Sequence, residues 1–413
     1  MSTRSSNSLK AFKARQVDPE TGLSLVESQT SSVYRDIQHQ LITWASQAPP
    51  TFNSLITYKI TDKNICLNDT SIVIQTSALS GVTGGNPRLC SSNGFYSRID
   101  YKVNGVIKDT AYPEFNHILT QTMNSNDDRL ALNNSAGNYA SITQRATLAQ
   151  APNQYIIPLN SLFNFANYPI LNSSHEVEIV MTLKSLTDCV VMNGATGVPV
   201  MSILLTYVQS RISRMPQWIA SERLANMEER AEDTRFHTTK VQSFSLASGL
   251  TSAPLTLSSM NKADVACLFF VVRDSSKLNG DGVNTFNKIA SFSIRDSANN
   301  AVTGSQEITD ALALNYLSQF WSNSTVQSET STGSQLSGVV TDLGQNIYCY
   351  SHSSNICDAF NRGRDLGARM YEGNESLNLT FKTALTVQTT VDVFCLCQSV
   401  LRQGVSSVDV INA

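Results

Sequence analysis

Apolar and polar residues alternate along much of this chain, and the same succession of alternating runs occurs twice. Arg98-Ile99-Asp100-Tyr101-Lys102-Val103 meets Asn104-Gly105 and resumes as Val106-Ile107. A period-two run broken by Asn-Gly predicts a β-hairpin, because the tight turn needs positive φ at both central residues. The pattern returns after roughly 190 residues, the spacing of a duplicated domain: Ile289-Ala290-Ser291-Phe292-Ser293-Ile294 runs into Ser297-Ala298-Asn299-Asn300 and then Ala301-Val302. Each predicted hairpin leads into helical spacing, over 115–123 with Ile118 and Leu119, and over 308–320 with Leu312, Leu314, Tyr316 and Leu317. Further on, Val177, Ile179, Met181 and Leu183 alternate with Glu176, Glu178 and Thr182, as Leu377, Leu379 and Phe381 alternate with Ser376, Asn378 and Thr380. Apolar runs over 200–208 and 391–401 close the two halves. Landmarks matched at a near-constant offset predict one β-sandwich present twice.

In the first half the pattern predicts strands over 55–60, 71–78, 97–103, 106–108, 154–157, 176–183 and 200–208, one short of an eight-stranded jelly roll. The expected fold is all-β: two tandem eight-stranded jelly-roll β-sandwiches, a double jelly roll, with short helices in loops and an N-terminal arm. The boundaries are an arm over 1–50, a first jelly roll over 51–210, a linker with a short helix over 211–239, a second jelly roll over 240–402 and a tail over 403–413. Within the arm, Ile37, Leu41 and Trp44 lie at helical spacing, which predicts a short amphipathic helix over 34–44 ahead of Pro49-Pro50. The Gly/Ser/Asn-rich stretches 124–150 and 323–344 read as loops, of a length that is uncommon unless functional or disordered.

Composition narrows the function. Of 413 residues only 15% are charged and the formal net charge is −3, so no basic stripe marks a sequence-specific nucleic-acid binder. Among the eight cysteines, Cys395 and Cys397 alternate on one apolar strand and Cys267 sits inside Val265-Ala266-Cys267-Leu268-Phe269-Phe270. They read as reduced core thiols, consistent with a reducing compartment. The opening residues lack the apolar core of a signal peptide. The longest apolar run, 265–272, lies between Asp264 and Arg273 and is too short to span a bilayer as a helix. A soluble chain made inside a cell is the expectation.

No residue pattern carries catalysis. His39, His117, His175, His237 and His352 are scattered, without His-x-x-x-His or Cys-x-x-Cys spacing, and read as exposed or loop histidines; no metal is expected. Cys395-Leu396-Cys397 with Cys349 outlines half a zinc site but reads as core packing. Gly81-Val82-Thr83-Gly84-Gly85-Asn86-Pro87 lacks the Gly-Lys-Ser/Thr ending of a phosphate-binding loop and reads as a flexible inter-strand loop. Ser351-His352-Ser353 places hydroxyls beside an imidazole, yet a nucleophile and its base must meet in space. Neither catalytic residues nor a cofactor is expected, and the chain reads as a non-enzyme. Sequons at Asn68, Asn133, Asn172, Asn323, Asn374 and Asn378 should stay unmodified without secretion. Asn361-Arg362-Gly363-Arg364-Asp365 reads as a basic turn. In the arm, Arg4, Lys10, Lys13 and Arg15 supply positive charge with no acid before Asp18, and Leu9 and Phe12 add apolar contact. That pattern suits an anionic lipid surface or nucleic acid, and equally a flexible, solvated terminus.

Tyr155-Ile156-Ile157-Pro158-Leu159-Asn160-Ser161-Leu162-Phe163-Asn164-Phe165, followed by Glu176-Val177-Glu178-Ile179, resembles the Ile-Pro-Leu, Leu-Phe-x-Phe stretch of double jelly-roll major capsid proteins. These belong to tailless icosahedral double-stranded DNA viruses: polinton-like viruses, virophages and the hexon-like lineage. The closing Val393-Phe394-Cys395-Leu396-Cys397-Gln398-Ser399-Val400-Leu401-Arg402 is similar to their last strand, with Ser399 where Asn is common. The resemblance covers 51–402. It implies a structural protein of the virion capsid, assembled inside the host cell as homotrimeric, pseudo-hexameric capsomers that tile an icosahedral shell. Contacts of obligate trimers bury roughly 2,000 Å² or more. It also implies penton and minor capsid proteins as partners, and insertions 110–154 and 323–346 as tower or inter-subunit loops. The arm, with Arg4, Lys10, Phe12, Lys13 and Arg15, would lie beneath the shell against an internal membrane, a minor capsid protein or a neighbour, ordered only after assembly. The chief alternative is a carbohydrate-binding or hydrolytic tandem β-sandwich, whose chemistry needs two acids facing one sugar; the sequence pairs no two. A minor or penton capsid protein is a third reading, though these more often carry a single jelly roll.

Overall fold

Asn104 and Gly105 adopt φ of 52° and 77°, and they turn β6 (Tyr96–Val103) into β7 (Val106–Ala111) as the Asn-Gly pair predicts. The computed structural model describes residues 38–122, 126–138, 142–159, 169–170, 175–214, 216–229, 231–280, 286–303, 307–309, 346–353, 367–405 and 407–412. Around the hairpin an antiparallel sheet forms in the order β2 (Leu55–Ile60), β10 (Val177–Leu183), β6, β7. It faces a second sheet ordered β1 (Gln38–Ala45), β13 (Ile203–Arg214), β3 (Ile65–Thr76), β8 (Asn153–Pro158), with β9 (Pro169–Ile170) added to β3. Period two sends Tyr58, Ile60, Ile99, Tyr101, Val177 and Ile179 inward from one sheet, against Ile72, Ile74, Ile157, Val208 and Ile212 from the other.

The second half repeats this order strand for strand. One sheet runs β14 (Glu232–Leu246), β22 (Thr389–Gln403), β16 (Ala263–Asp274), β19 (Tyr348–Ser351), with β20 (Arg369–Tyr371) on β16 and β23 (Val408–Asn412) on β22. The other runs β15 (Ser252–Thr256), β21 (Ser376–Thr380), β17 (Ser291–Arg295), β18 (Ile308–Thr309). Four strands face four, twice, in the order of a jelly roll. Between the halves, β13 continues to Arg214 and helix Gln217–Glu229 precedes β14, its Met227 buried against Leu224, Cys66 and Val405.

Several elements differ from the sequence expectation. The eighth strand of the first jelly roll is β1, where helical spacing predicted a helix. Ile42 and Trp44 turn inward at strand period, whereas Leu41, which completes the helical pattern, is 66% exposed. The stretch read as a loop over 124–150 holds helices α2 (Asn126–Ser135) and α3 (Ile142–Ala149), which follow α1 (Pro113–Thr122). Their polarity disguised them. Asn133 is buried because Gln121 of α1 donates to it at 2.7 Å, and Ala146 and Ala149 are buried as well. The glycine-rich 81–87 stretch opens in a ribbon, β4 (Ser80–Thr83) on β12 (Thr196–Val200), so close that a Cβ on Gly81 would lie 2.3 Å from the Val198 carbonyl oxygen. A further ribbon joins β5 (Arg88–Leu89) to β11 (Val190–Val191). Ile308–Thr309 is strand rather than the start of a helix. The remainder of that predicted helix, the 323–344 insertion and the basic turn at 361–365 lie outside the described residues.

The two readings of β1 predict opposite mutational effects. Trp44→Ala should cost about 3–5 kcal/mol as a large core truncation, with loss of the 2.9 Å bond from its Nε1 to Asp62. Leu41→Ala should cost less than about 1 kcal/mol as a surface change. Urea unfolding of both variants checks this; equal costs would contradict the strand.

Candidate functional site

Helix α1 begins at Pro113, where a missing N–H costs nothing, with Glu114 in its first turn. Phe115, Ile118 and Leu119 fall on one face and pack against Phe269, Val271, Phe394 and Leu396 of the second sandwich. The Phe115 ring stacks on Phe394 with centroids 5.2 Å apart and meets Phe269 edge-on at 5.8 Å. Buried His117 sits beside Phe286. Along β16, Leu268, Phe270 and Val272 face their own sandwich while Phe269 and Val271 face α1. Burial on both sides explains why 265–272 is continuously apolar instead of alternating.

Arg273 closes that run. Its guanidinium reaches Asp392 at 2.7 Å and Glu114 at 2.9 Å, all three side chains being nearly inaccessible to water. Ser243 donates a further 2.6 Å bond to Asp392. Glu114 belongs to the first sandwich, Arg273 and Asp392 to the second, so one planar cation ties the halves in a fixed orientation. Elsewhere on the seam, Asn279 donates to Asp188 at 2.9 Å and accepts from Lys184 at 3.2 Å. At the chain's end, Leu401 and Val408 enter the first sandwich's core, Lys108 pairs with Asp409 at 3.7 Å, and Gln403 meets buried His175 at 3.4 Å.

The outer face of the other large sheet is more open. Leu205 of β13 is 43% exposed there, beside half-buried Tyr207 and Ile156 and buried Val73.

The histidines correct the sequence expectation. His117, His175 and His237 are buried, and His352 is largely so. Burial and then the nearby Arg369 charge hold the His352 imidazole down to about 4, and burial first also lowers His175. His352 bonds the Tyr371 hydroxyl at 3.0 Å, while Ser351 donates to the Ser353 carbonyl at 2.9 Å. No nucleophile and base are assembled there. Among the described residues no group of three or more His, Cys, Asp or Glu is placed to hold a metal, and no helix is long and apolar enough to cross a membrane. Cys267, Cys395 and Cys397 are buried thiols, as their strand positions predict. Arg4, Lys10, Phe12, Lys13 and Arg15 lie outside the described residues. Sequence reasoning missed the seam, whose one signal was a double-sided apolar run ending in an arginine.

No family model matches the chain, and no curated protein matches it by sequence. Solved structures do. PBCV-1 VP54, fitted into a reconstruction of the virophage Sputnik, superposes with a TM-score of 0.64 at 14% identity, over 91% of this chain and 97% of that one. The Faustovirus major capsid protein gives 0.62 at 9% identity, over 89% and 90%. The mavirus major capsid protein gives 0.51 at 11% identity, over 90% and 89%. The chain has the double jelly-roll fold of these proteins.

Two predictions concern the seam and the buried imidazole. Arg273→Met leaves buried Asp392 and partly buried Glu114 without their cation and should lower unfolding free energy by about 3–5 kcal/mol. Arg273→Lys should recover only part of this, since one ammonium does not form a planar fork; urea titration reads both, and a loss under about 1 kcal/mol contradicts the cluster's role. For His352, the unfolded chain binds a proton near 6.5 and the folded chain near 4. Stability should therefore fall as pH drops through that window, and His352→Gln should flatten the slope of urea midpoint against pH. An unchanged slope would assign the acid sensitivity elsewhere.

Proposed function

We propose that the chain is a major capsid protein whose homotrimers form pseudo-hexameric capsomers of an icosahedral virion shell. The observation that carries the reading is the strand-for-strand repetition of one four-on-four sandwich within a single chain, over nearly the full length of the capsid proteins it superposes on. Two similar wedges in one chain give a threefold ring a nearly hexagonal outline, and hexagons tile a surface. The rigid seam supports this role, because a building block must hold its wedge angle when neighbours press on it. A non-enzymatic, structural role fits a chain whose buried polar groups serve packing.

In this reading residues ahead of β1 form the arm, followed by the two jelly rolls, the helical linker between them and the C-terminal tail. Arg4, Lys10, Phe12, Lys13 and Arg15 face the shell interior, toward an internal membrane or minor capsid protein. Penton and minor capsid proteins complete the particle.

Light scattering on the purified protein, with negative-stain imaging of the same fraction, tests the proposal. The expected mass is three times the 45.1 kDa of one chain, with hexagonal outlines in the images. A strict monomer at high concentration would overturn it and favour a carbohydrate-binding or hydrolytic tandem sandwich. The protein lacking residues 1–15 should remain trimeric but lose binding to anionic vesicles; equal binding would remove the arm's assigned role.

A further inference from the structure

The two large sheets are equivalent by register, and among the described residues the outer face of the first is the more exposed at equivalent positions. In the second sandwich Phe269 pairs with Phe394 on one side and Cys349 on the other, one residue from the inward pair Phe270 and Tyr348. In the first, Val73 pairs with Tyr207 and Ile156, one residue from the inward pair Ile74 and Tyr155. Val73, Tyr207 and Ile156 thus occupy the positions of Phe269, Phe394 and Cys349. Those three residues belong to the apolar cluster that α1 covers. Continuing the register, Leu205 takes the place of Asp392. Asp392 is 5% exposed at the seam, whereas Leu205 is 43% exposed. An antiparallel sheet facing water alternates apolar-in with polar-out. Here Leu205 and Tyr207 of β13 and Ile156 of β8 put partly exposed apolar surface on the outward side, flanking Val73 of β3, which is itself 1% exposed, with Gln75 opposite Leu205.

We propose that this face, centred on Leu205 and Tyr207, docks the second sandwich of another copy of the chain. The contact would repeat between chains the one that α1 makes within a chain. The docking edge is where β17 and β18 lie, the counterpart of the β6–β7 hairpin from which α1 emerges. Such a contact joins unlike surfaces and propagates head to tail, so it closes when each wedge-to-wedge step turns the chain by about 60°. Six wedges then complete the ring, three joined by seams within chains and three by this face. The inference rests on the capsomer reading and specifies which surface makes it.

The test uses the full-length chain. Leu205→Asp places a charge at the centre of the proposed contact, and the concentration at which the trimer dissociates should rise at least about tenfold, as for a central interface residue. Val198→Asp is the control: Val198 lies on the β4–β12 ribbon and not in the β1–β13–β3–β8 sheet, at 73% exposure, and the variant should stay trimeric. A photo-crosslinking amino acid at position 205 should join the second sandwich of another copy, and this readout stands even if Leu205→Asp folds poorly. A wild-type protein that never associates would sink the capsomer reading itself. A stable wild-type trimer that tolerates Leu205→Asp, dissociates equally with Val198→Asp, or crosslinks at 205 only within its own chain would overturn this inference and leave that reading intact.

Discussion

The stacking of Phe115 on Phe394 and Phe269 is where two sandwiches become one body. A jelly roll needs one covered face per sheet; the second sandwich has a sheet that is apolar on both. Its outer face must find a cover, and α1 supplies it from the same chain. Full burial of one such aromatic is worth roughly 1.5–3 kcal/mol, so the apolar contact supplies the drive. The Arg273 cluster contributes differently: buried ion pairs add little net energy, but breaking one is costly. It therefore penalises every orientation except the one in which Glu114 meets the guanidinium.

Repetition has preserved strand order and not side chains. In the first sandwich the sheets are bridged by hydroxyls: Tyr58 meets Thr206 at 2.6 Å, and Thr206 also donates to the Val73 carbonyl at 2.9 Å. In the second, the counterpart of Thr206 is Val393, and next to it Phe270, Phe292 and Tyr348 form a mutual aromatic cluster. Backbone pairing specifies the topology, and many interiors of suitable volume satisfy it.

Much of this was legible in the sequence because strands announce themselves by period two. The Asn104-Gly105 hairpin, the alternation over 177–183 and 376–380, and the closing strand over 391–401 appear where the pattern places them, whereas the one expected over 200–208 runs from Ile203 to Arg214. What escaped was set by tertiary contact. In β1, Leu41 is an exposed apolar residue that mimics a helical repeat beside Trp44. In α2, Asn133 looks like a loop residue until Gln121 pairs with it. Three histidines that looked solvent-bound are buried by neighbours far away in sequence. The seam was legible only in outline, since nothing local links Glu114 to Arg273.

Two core cysteines, Cys395 and Cys397, have a consequence for the proposed capsomer. Burial pushes the Cys397 thiol up to about 12 and Cys395 well above its ordinary range. Thiolate is the species that attacks a disulfide or an oxidant, and these sulfurs hold almost none of it. A particle built on such cores would cross from a reducing cytoplasm into oxidising surroundings without forming, breaking or exchanging a covalent bond at these positions. The cohesion of the second sandwich's core would then be the same on both sides of that boundary.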